Sequence, residues 1–409
     1  MQLIFQNPKF RLLWISVAFN DAGTFLYFMV QGWLVLTLTD SPFWVGATMG
    51  MAGLGTISFS LVGGVLADRL DRRSLVIGCQ LAQTVYASLM AALIFSDRIE
   101  LWHILVVALV DGGVNAIKIP ARQALILDVA GRENLLRATA ANFMAMTLFG
   151  MAAPLVGGIV VTSFDIAWAY VIWAGVSMAS MVVLLALTGV STRRSETRAS
   201  PLQDLTIGIR YAFSTPVVRT LLLIVLVTEV FGWAHESMLP VMARDELQVD
   251  AAGLGYLLTV AAAGALAGTL VVSTFGDRWD KGRLMVVGLG GFGLFLVLFA
   301  ASPWFLVSMT LLALAYAFGV AFEATIMTLL QTSVPDEMRG RVLSFQAFMW
   351  GMSYSAGFHT GAIASAVGAP VAIAIGGGLV LLNALRFLPT MSRFRQFSAD
   401  DEEFDRVPT

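Results

Sequence analysis

A small group of ionisable side chains lies inside long apolar stretches of this sequence. Its members are Asp21, Asp111, Lys118, Glu229, His235, Glu236, Glu323 and His359. A charge in the hydrocarbon interior of a membrane is costly unless it is paired or hydrated, so such groups usually bind or carry ions. A carboxyl group can take up and release a proton. The residues predicted to couple to protons are Asp21, Glu323, Asp111 and Glu229.

Four polar residues of the fourth apolar run share one helical face. Asp111, Asn115, Lys118 and Arg122 follow one another at steps of four, three and four residues. At 3.6 residues per turn this spacing keeps them in one row. We expect this face to meet water or another helix rather than lipid. Asp111 and Lys118 lie nearly two turns apart, so no direct pair is expected. The alternative for Lys118 and Arg122 is that they reach to the membrane surface.

Three other apolar runs carry polar stripes. The first contains Asn20, Asp21, Thr24, Tyr27, Phe28 and Gln31, the third contains Gln80, Gln83 and Tyr86, and the seventh contains Glu229, Trp233 and Glu236 at helical spacing. His235 and Glu236 precede Pro240, and the alternative for both is a water-exposed position at the outer mouth of the cavity. An alignment of Val129 with Val334 places Lys118 opposite Glu323. It suggests one charge from each half of the chain near a shared cavity.

The polar stripes are exceptions in an apolar chain. Of its 409 residues, 58% are hydrophobic and 13% are charged, and the mean hydropathy is +0.80. Runs long enough to cross a hydrocarbon layer of roughly 30 Å cover residues 12–37, 43–67, 74–96, 101–119, 139–162, 166–187, 217–240, 252–274, 284–301, 304–327, 342–366 and 368–388. Helices satisfy their own backbone hydrogen bonds in lipid. The sequence predicts an all-α polytopic membrane protein with twelve transmembrane helices.

The basic residues are distributed unevenly between the two sides. Lys9 and Arg11 precede the first run and most other basic residues fall on their side, whereas the opposite side has only Arg98 and Arg244. The positive-inside rule then predicts that both termini are cytoplasmic. The net charge of −2 points to no partner, and no basic patch suits a nucleic acid. With Cys79 as the single cysteine, neither an intrachain disulfide nor a thiolate metal cluster can form.

The chain contains an internal repeat. A shift of 209 residues places Gly46 on Gly255, Gly55 on Gly264, Asp68 on Asp277, Arg69 on Arg278, Asp71 on Asp280, Arg72 on Lys281 and Leu75 on Leu284. This repeat predicts two pseudo-symmetric six-helix bundles, residues 1–187 and 217–388. Residues 188–216 are predicted to be a cytoplasmic linker with a short helix on the membrane surface. Residues 389–409 are predicted to be an acidic cytoplasmic tail.

The repeated segment resembles the loop signature of the major facilitator superfamily. In "GGVLADRLDRRS" the matching residues are Gly64, Asp68, Arg69, Arg72 and Arg73. Asp71 stands where the general pattern has Gly. Three further segments, "LTDSPFWVG", "PARQALILDVAGRENLLRATAAN" and "VPDEMRGRVLSF", are similar to loops of bacterial macrolide-efflux and enterobactin-exporter-like carriers of the drug:proton antiporter type. The resemblance covers residues 7–388. It implies two bundles that alternate access to a central cavity, in the bacterial cytoplasmic (inner) membrane, with export driven by proton influx.

For the charged loop the resemblance implies a latch that closes the cytoplasmic side. Its residues here would be Gly64, Asp68, Arg69, Arg72, Arg73, Asp128, Asp277, Arg278 and Lys281. In the family the first Asp bonds to the eleventh helix and an Arg reaches an acid at the base of the fourth, for which Asp128 is the candidate. Charges facing a helix end contribute roughly 0.3–1 kcal/mol each. The alternative is that these charges only set the topology.

The resemblance also places the polar stripes of the first and seventh helices around the cavity. The predicted cavity residues are Asn20, Tyr27, Gln31, Gln80, Gln83, Asn115, Lys118 and Trp233. In the fifth run, "GMAAPLVGG" resembles the antiporter signature, through Gly150, Pro154, Gly157 and Gly158, with Ala153 in place of the usual first Gly. This signature favours export over uptake. The alternative is plain close packing of helices.

These observations favour a secondary active transporter for proton-driven efflux of small amphipathic, drug-like molecules. The alternative is a dedicated exporter of a siderophore or another endogenous metabolite, or an importer. The three histidines are scattered and no HExxH, nucleophile elbow or Walker A motif is present, so an enzyme or an ATP-driven pump is not expected. No selectivity-filter motif favours a channel. The expected partners are a small-molecule substrate, protons and the lipid bilayer, without cofactor, metal or nucleic acid, and the resemblance implies a monomer.

Overall fold

The computed structural model describes residues 2–189, 210–211, 213–335, 349 and 351–387, and their side chains except those of Gln2, Leu3, Leu61, Asp68 and Asp277. Regular structure in these ranges is helical. The long helices are α1 (Pro8–Thr39), α2 (Pro42–Arg69), α3 (Arg72–Phe95), α4 (Leu101–Ala130), α5 (Leu135–Ser163), α6 (Ile166–Leu185), α7 (Pro216–Val227, with an irregular continuation to Glu246), α8 (Ala251–Phe275), α9 (Lys281–Ala301), α10 (Phe305–Thr332), α11 (Gly357–Val367) and α12 (Ala369–Phe387).

Eleven of the predicted membrane spans fall on these helices, and residues 342–348 and 350 of the span 342–366 lie outside the described residues. Within the described ranges, ten helices are long and apolar enough to cross a membrane. The predicted span 43–67 corresponds to α2, which has 28 residues. The span 342–366 corresponds to α11 and to the helical residues 351–355 before it. Most of the predicted linker and the whole acidic tail lie outside the described residues.

Helix α4 is longer than the sequence predicted. The predicted span stops at residue 119, before Pro120, but α4 continues through this proline to Ala130. Membrane helices tolerate an interior Pro when neighbouring groups satisfy the freed backbone carbonyl. Gly131, with a φ of +74°, then ends the helix. Arg122 and Asp128 therefore both lie on α4.

Helix α7 is not the regular helix that the sequence predicted over residues 217–240. Beyond Val227 it consists of a π turn at Thr228–Gly232, a 3-10 segment at Trp233–Met238, a short α segment at Leu239–Val241 and a second π turn at Met242–Glu246. Pro240 has no N–H to donate to the carbonyl of Glu236, so an α-helical hydrogen bond is absent there. π turns of this kind occur often at functional sites.

The repeated loops end in the same N-cap. Asp71 Oδ2 accepts a hydrogen bond from Ser74 N at 2.8 Å, and Asp280 Oδ1 accepts one from Arg283 N at 2.8 Å. An Asp at this position satisfies one of the free N–H groups at the start of a helix. The φ of Asp71 is −63°, which any residue adopts. This explains why an acid replaces the Gly of the superfamily pattern in both copies.

The repeated glycines also occupy equivalent places. A Cβ on Gly55 would lie 2.0 Å from the carbonyl oxygen of Leu109 on α4, and a Cβ on Gly264 would lie 2.0 Å from that of Ala313 on α10. Only Gly allows backbones to approach so closely. Helices α2 and α4 therefore pack in the first half as α8 and α10 pack in the second. Here the first half means α1–α6 and the second half means α7–α12.

The two halves are joined mainly at one end of the bundle. We call the end at which α1, α3, α5 and α9 begin the Arg72 face, and the opposite end the Asp40 face. Towards the Asp40 face one hydrophobic core contains residues of both halves, such as Val30 and Leu239. Towards the Arg72 face the described residues form two separate cores, one around Leu125 and the other around Phe322. The described contacts therefore close the molecule at the Asp40 face.

Candidate functional site

A cavity of about 400 Å³ lies between the two halves. Residues of α1, α2 and α5 line it from the first half, and residues of α7, α8 and α10 line it from the second, together with Tyr354. Its walls are mostly aliphatic and aromatic, and Phe28 stacks on Tyr354 across the halves with ring centroids 5.6 Å apart. Its volume falls in the range of about 300–1,000 Å³ usual for small-molecule pockets. The cavity can hold an amphipathic organic molecule.

Few of the predicted cavity residues line this space. Gln31 does, and so do Gly150 and Pro154 of the antiporter-like segment. The lining does not include Asn20, Tyr27, Gln80, Gln83, Asn115, Lys118 and Trp233. These seven bond or pack to other groups inside one half. A polar stripe on a helix shows that the face is sheltered from lipid but not what shelters it.

One set of buried polar groups starts at α1 and α4. Arg122 Nη1 bonds Asp21 Oδ1 at 2.6 Å, and Asn20 Nδ2 donates to the same oxygen at 3.3 Å. Lys118 Nζ donates to Asn20 Oδ1 at 2.8 Å. The Lys118 residue is only 2% exposed. Lys118 therefore does not reach to the membrane surface as the alternative interpretation held.

The same hydrogen-bonded chain continues to Asp111. Lys118 Nζ also donates to Gln83 Oε1 at 3.0 Å, and Gln83 Nε2 donates to Asp111 Oδ1 at 3.0 Å. Asp111 accepts two more bonds, from the Tyr86 hydroxyl and, at 2.8 Å, from Asn115 Nδ2. As predicted, Asp111 and Lys118 do not pair directly. We call this chain of groups, from Arg122 to Tyr86, the first-half network; it contains two acids and two bases.

Two further predicted residues serve the packing of the first half. Gln80 Nε2 donates to Ser180 Oγ at 2.6 Å, which ties α3 to α6. The ring of Tyr27 stacks on Trp173 with centroids 4.1 Å apart. Both Gln80 and Tyr27 are 2% exposed. Their polar atoms lie within the bundle and away from the cavity.

The second half contains a group of three acidic side chains, whereas the first-half network contains acids and bases. Glu229 and Glu236 on α7 and Glu323 on α10 lie close enough for their charges to interact. Glu236 lines the cavity, where Tyr316 donates to its Oε1 at 2.8 Å. Glu229 is 5% exposed, and Ser353 donates to its backbone carbonyl at 3.1 Å. We call these three residues the glutamate cluster.

This placement corrects two expectations. Glu236 and His235 do not form a wet outer mouth, because Glu236 faces the cavity and His235 is 2% exposed. Lys118 and Glu323 were expected to place one charge from each half near a shared cavity, but Lys118 is bound within the first half. Trp233 packs between Phe292 and Tyr316 instead of lining the cavity, with centroids 4.8 Å and 5.3 Å away.

The charges at the Arg72 face contact their own half. Arg72 Nη1 pairs with Asp128 Oδ2 at 2.7 Å, at the base of the fourth helix as the resemblance implied. Arg73 donates to the carbonyl oxygens of Leu184 and Leu185 at 3.0 and 2.7 Å. Arg69, Arg278 and Lys281 are exposed, Gly64 has open space beside it, and the side chains of Asp68 and Asp277 lie outside the described residues.

The opposite face is closed by direct contacts between the halves. Arg244 at the end of α7 donates to Asp40 and, at 3.1 Å, to the Leu36 carbonyl oxygen at the end of α1. A Cβ on Gly46 would lie 2.2 Å from the Gly357 carbonyl oxygen, and one on Gly158 would lie 2.4 Å from that of Ala251. Gly157 instead packs on Leu26 within the first half. One Gly of the antiporter-like segment thus contributes to closure at this face.

The sequence matches the profile of the family described as transmembrane secretion effector over residues 4–408. The chain belongs to this family. It is a transporter of the major facilitator type. An enterobactin exporter, EntS, from Escherichia coli O1:K1 / APEC is 27% identical over 408 residues, which cover 97% of this chain and 95% of the relative. EntS from Shigella boydii serotype 18 (strain CDC 3083-94 / BS512) gives the same values.

Solved structures of other transporters share the fold. The nucleoside transporter NupG has a TM-score of 0.73 at 14% identity, covering 94% of this chain and 99% of that one. A bacterial homologue of the human lysosomal transporter Spinster, in an inward-facing and unoccupied conformation, has a TM-score of 0.71 at 16% identity and covers 95% of each chain. At these identities the likeness establishes the fold alone. This transporter accordingly has the twelve-helix major facilitator fold.

Sequence reasoning missed several residues of the transporter. One missed contact is the ion pair between Arg244 and Asp40, which we call the clasp. One feature of the sequence pointed to it, since Arg244 is one of only two basic residues predicted on that side of the membrane. Glu236 was recognised as an ionisable group, with a water-exposed position at the outer mouth as the alternative. The aromatic walls formed by Phe28 and Tyr354 had no distinctive signal, because aromatic residues are common on every kind of helix face.

Proposed function

We propose that this transporter exports a small amphipathic organic molecule in exchange for protons, by alternating access. The observation that carries this proposal is the cavity between the halves, with the glutamate cluster beside it and a closed Asp40 face. In this mechanism residues 1–187 and 217–388 move as two bundles. Closing one face and opening the other exposes the same cavity to each side in turn.

The proposed orientation follows from the basic residues. Lys9, Arg72 and Arg73 lie at the Arg72 face, which the positive-inside rule assigns to the cytoplasm. The structure would then be a state closed towards the outside. Its two separate cores at the Arg72 face suit an arrangement in which substrate enters from the cytoplasm.

We assign proton exchange to the glutamate cluster, with Glu323 as the central residue. Like charges that share a site repel one another, so such a cluster can bind and release protons as the surroundings change. We assign Glu229, which the sequence analysis also selected for proton coupling, a supporting role beside Glu323. Asp21 and Asp111 were predicted with them, but the ion pair with Arg122 and the three bonds to Asp111 favour a fixed charge at both positions.

We propose that the charged loops close the Arg72 face in the opposite state of the transport cycle, in which the cavity is open at the Asp40 face. Asp68, Arg69, Asp277, Arg278 and Lys281 lie in the two repeated loops and would then contact the opposite half. Arg72 and Arg73 anchor the first loop to its own half, through Asp128 and the end of α6. An anchored loop can move as a rigid part of its bundle.

The substrate has two candidate classes. The relatives named as enterobactin exporters favour a dedicated exporter of a siderophore or similar metabolite. The mostly apolar cavity suits drug-like amphipathic molecules in general. A siderophore exporter should accept few compounds, and a drug exporter should accept many unrelated ones.

The test is substrate-driven proton movement in liposomes that contain the purified transporter. With an acidic lumen, macrolides, cationic dyes or catecholate siderophores are added outside and the lumenal pH is followed. A substrate should raise the lumenal pH in the wild type and not in Glu323→Gln, whereas the exposed surface variant Glu133→Gln should behave as the wild type. Equal substrate counterflow without any pH change in both forms would overturn the proton-coupled mechanism.

A further inference from the structure

We propose that the irregular segment of α7, residues 228–246, transmits the charge state of the glutamate cluster to the clasp at the Asp40 face. This inference rests on the proposed alternating access and names the element that couples its two sites. Both sites lie on this one segment, since Glu229 and Glu236 belong to the glutamate cluster and Arg244 forms the clasp. A change in the path of the segment therefore acts on both.

The segment replaces α-helical hydrogen bonds with two other patterns. Trp233 N bonds the carbonyl oxygen of Thr228 and Leu247 N bonds that of Met242, five residues back in both cases. Between these π turns, the 3-10 run Trp233–Met238 has six residues. Runs of this kind longer than three or four residues are uncommon, because their hydrogen bonds have poorer geometry, and inside a helix they often mark a hinge. Local hydrogen bonding therefore does not favour the form that the segment adopts.

The equivalent helix of the first half lacks this irregularity. The repeat shift of 209 residues places Gly23 of α1 on Gly232 and Gln31 on Pro240, and α1 is a continuous α-helix over Pro8–Thr39. A Gln has the backbone N–H that a Pro lacks, so α1 can complete its helical bonds where α7 cannot. The irregular form is therefore a property of the second half and is not required by the repeat.

Packing on both sides holds the segment in this form. The Pro240 ring lies against Gly32 of α1, where an added Cβ would be 2.8 Å from Pro240 Cγ. On the other side, a Cβ on Gly232 would lie 2.7 Å from the ring of Phe292 on α9. The contact between Pro240 and Gly32 joins the two halves. Opening of the Asp40 face would remove it and leave the segment free to refold.

Two buried side chains of the 3-10 run are poorly satisfied. His235 is 2% exposed, and its Nδ1 donates to the Gly232 carbonyl oxygen at 2.7 Å, whereas its Nε2 has no hydrogen-bond partner among the described residues. The indole nitrogen of Trp233 is buried near Glu323 but makes no regular hydrogen bond with a described residue. Unpaired buried polar groups are costly. A second form of the segment that pairs them can therefore compete with the first.

The charge of the glutamate cluster selects between the two forms. Glu229 is 5% exposed, and Glu236 lies in the mostly apolar wall of the cavity. Charged carboxylates at such positions gain free energy from contact with water, and they repel one another more strongly where water is scarce. Loss of charge therefore favours the closed Asp40 face, and gain of charge favours its opening. The segment passes this preference to Arg244, eight residues beyond Glu236.

The test is a double-substitution cycle on the full chain, in vesicles that expose the Asp40 face. The readout is labelling of Thr48→Cys, a cavity position on α2, by a membrane-impermeant thiol reagent in a Cys79→Ser background. Glu229→Gln should slow labelling about fivefold or more. Pro240→Gln supplies the missing N–H, and in its presence Glu229→Gln should change the rate less than about twofold.

The matched control is Pro303→Gln in the exposed loop after α9, which should keep the full effect of Glu229→Gln. Equal slowing by Glu229→Gln with and without Pro240→Gln would overturn the proposal. The absence of any slowing by Glu229→Gln in the otherwise unchanged chain would overturn it as well, because the glutamate cluster would then have no influence on the Asp40 face.

A second measurement needs no change at Pro240. Coupling between two sites is reciprocal, so Arg244→Ala, which breaks the clasp, should speed amide hydrogen exchange in residues 228–238 about fivefold or more. Exchange in residues 20–30 of α1 should stay the same. Arg98→Ala, at an exposed position of the same face, is the control. Equal exchange of residues 228–238 in Arg244→Ala and Arg98→Ala would refute transmission through α7.

Proton flux in liposomes separates this inference from the proposed function. If Pro240→Gln removes the effect of Glu229→Gln on labelling but no substrate moves protons, the inference stands and the proton-coupled function fails. If a substrate drives proton exchange in the wild type and the labelling cycle shows no coupling, the export function stands and α7 is not the coupling element.

Discussion

Arg244 on α7 reaches across to Asp40 at the end of α1 and holds the two halves together at the Asp40 face. The same guanidinium donates to the Leu36 carbonyl oxygen at 3.1 Å, and its Nε bonds Asp245 Oδ1 at 2.6 Å. Asp245 thus orients Arg244 towards the first half. The cavity lies between this clasp and the Arg72 face, so the clasp is placed to control access from one side.

We predict that Arg244→Ala increases access to the cavity from the Asp40 face. Asp40 is 84% exposed and Arg244 is 29% exposed, so their ion pair contributes only about 0.2–1 kcal/mol. Arg244→Ala also removes the bond to Leu36, and should therefore act more strongly than Asp40→Asn. The measurement is the labelling rate of Ser237→Cys, a cavity position, by a membrane-impermeant thiol reagent in a Cys79→Ser background.

The expected change is an increase in labelling of about two- to fivefold for Arg244→Ala. Arg98→Ala is the matched control, because Arg98 is exposed at the same face. Equal labelling in Arg244→Ala and Arg98→Ala would show that the clasp does not hold this face closed.

We predict that Gly46→Ala and Gly158→Ala disfavour the closed Asp40 face. Each added Cβ would lie within 2.4 Å of a carbonyl oxygen of the other half, so the halves must separate to accommodate it. Overpacking of this kind costs about 1–3 kcal/mol. The same cysteine-labelling measurement should show faster reaction in both variants. Gly175→Ala, where a Cβ meets open space, should label as the wild type does, and slow labelling of Gly46→Ala would contradict the prediction.

Much of the fold could be predicted from the sequence, because the bilayer imposes one strong rule. Apolar runs of sufficient length must be helices, and the repeat identified the equivalent positions of Gly55 and Gly264. The end of α4 was not predictable from Pro120, since an interior proline breaks a helix in water more readily than in a membrane bundle. The irregular α7 also depends on tertiary packing.

The site was predictable only in part. The sequence identified which polar groups are buried, because burial follows from their place in apolar runs. It could not say which of them face the cavity. Lys118 and Gln31 occupy similar stripes, yet Lys118 bonds Asn20 and Gln83 while Gln31 lines the cavity. Residues 98 positions apart in the chain meet in the first of these contacts, which no local pattern encodes.

We predict that Arg122→Leu destabilises the first half, because it leaves the buried Asp21 carboxylate without its cation. The Asp21 side chain is 8% exposed, and breaking one partner of a buried pair costs about 3 kcal/mol or more. The double variant Asp21→Asn/Arg122→Leu should recover at least half of this loss, since no unpaired charge remains. Thermal unfolding in detergent measures both. Arg137→Leu at an exposed position is the control, and a double variant no more stable than Arg122→Leu would refute the pairing.

We predict that equivalent substitutions in the two copies of the charged loop change the free energy of unfolding by different amounts, although the sequences of the two copies correspond. Arg72 and Asp128 are 12% and 9% exposed, so Arg72→Ala leaves a largely buried carboxylate unpaired and should cost about 3 kcal/mol. Lys281, at the equivalent position of the repeat, is exposed, and Lys281→Ala should change stability by less than about 0.5 kcal/mol. Thermal unfolding in detergent, with Asp128→Asn/Arg72→Ala as the rescue variant, measures the difference. Equal losses for Arg72→Ala and Lys281→Ala would mean that both loops serve the same packing role, and the first loop would then not be the anchored one.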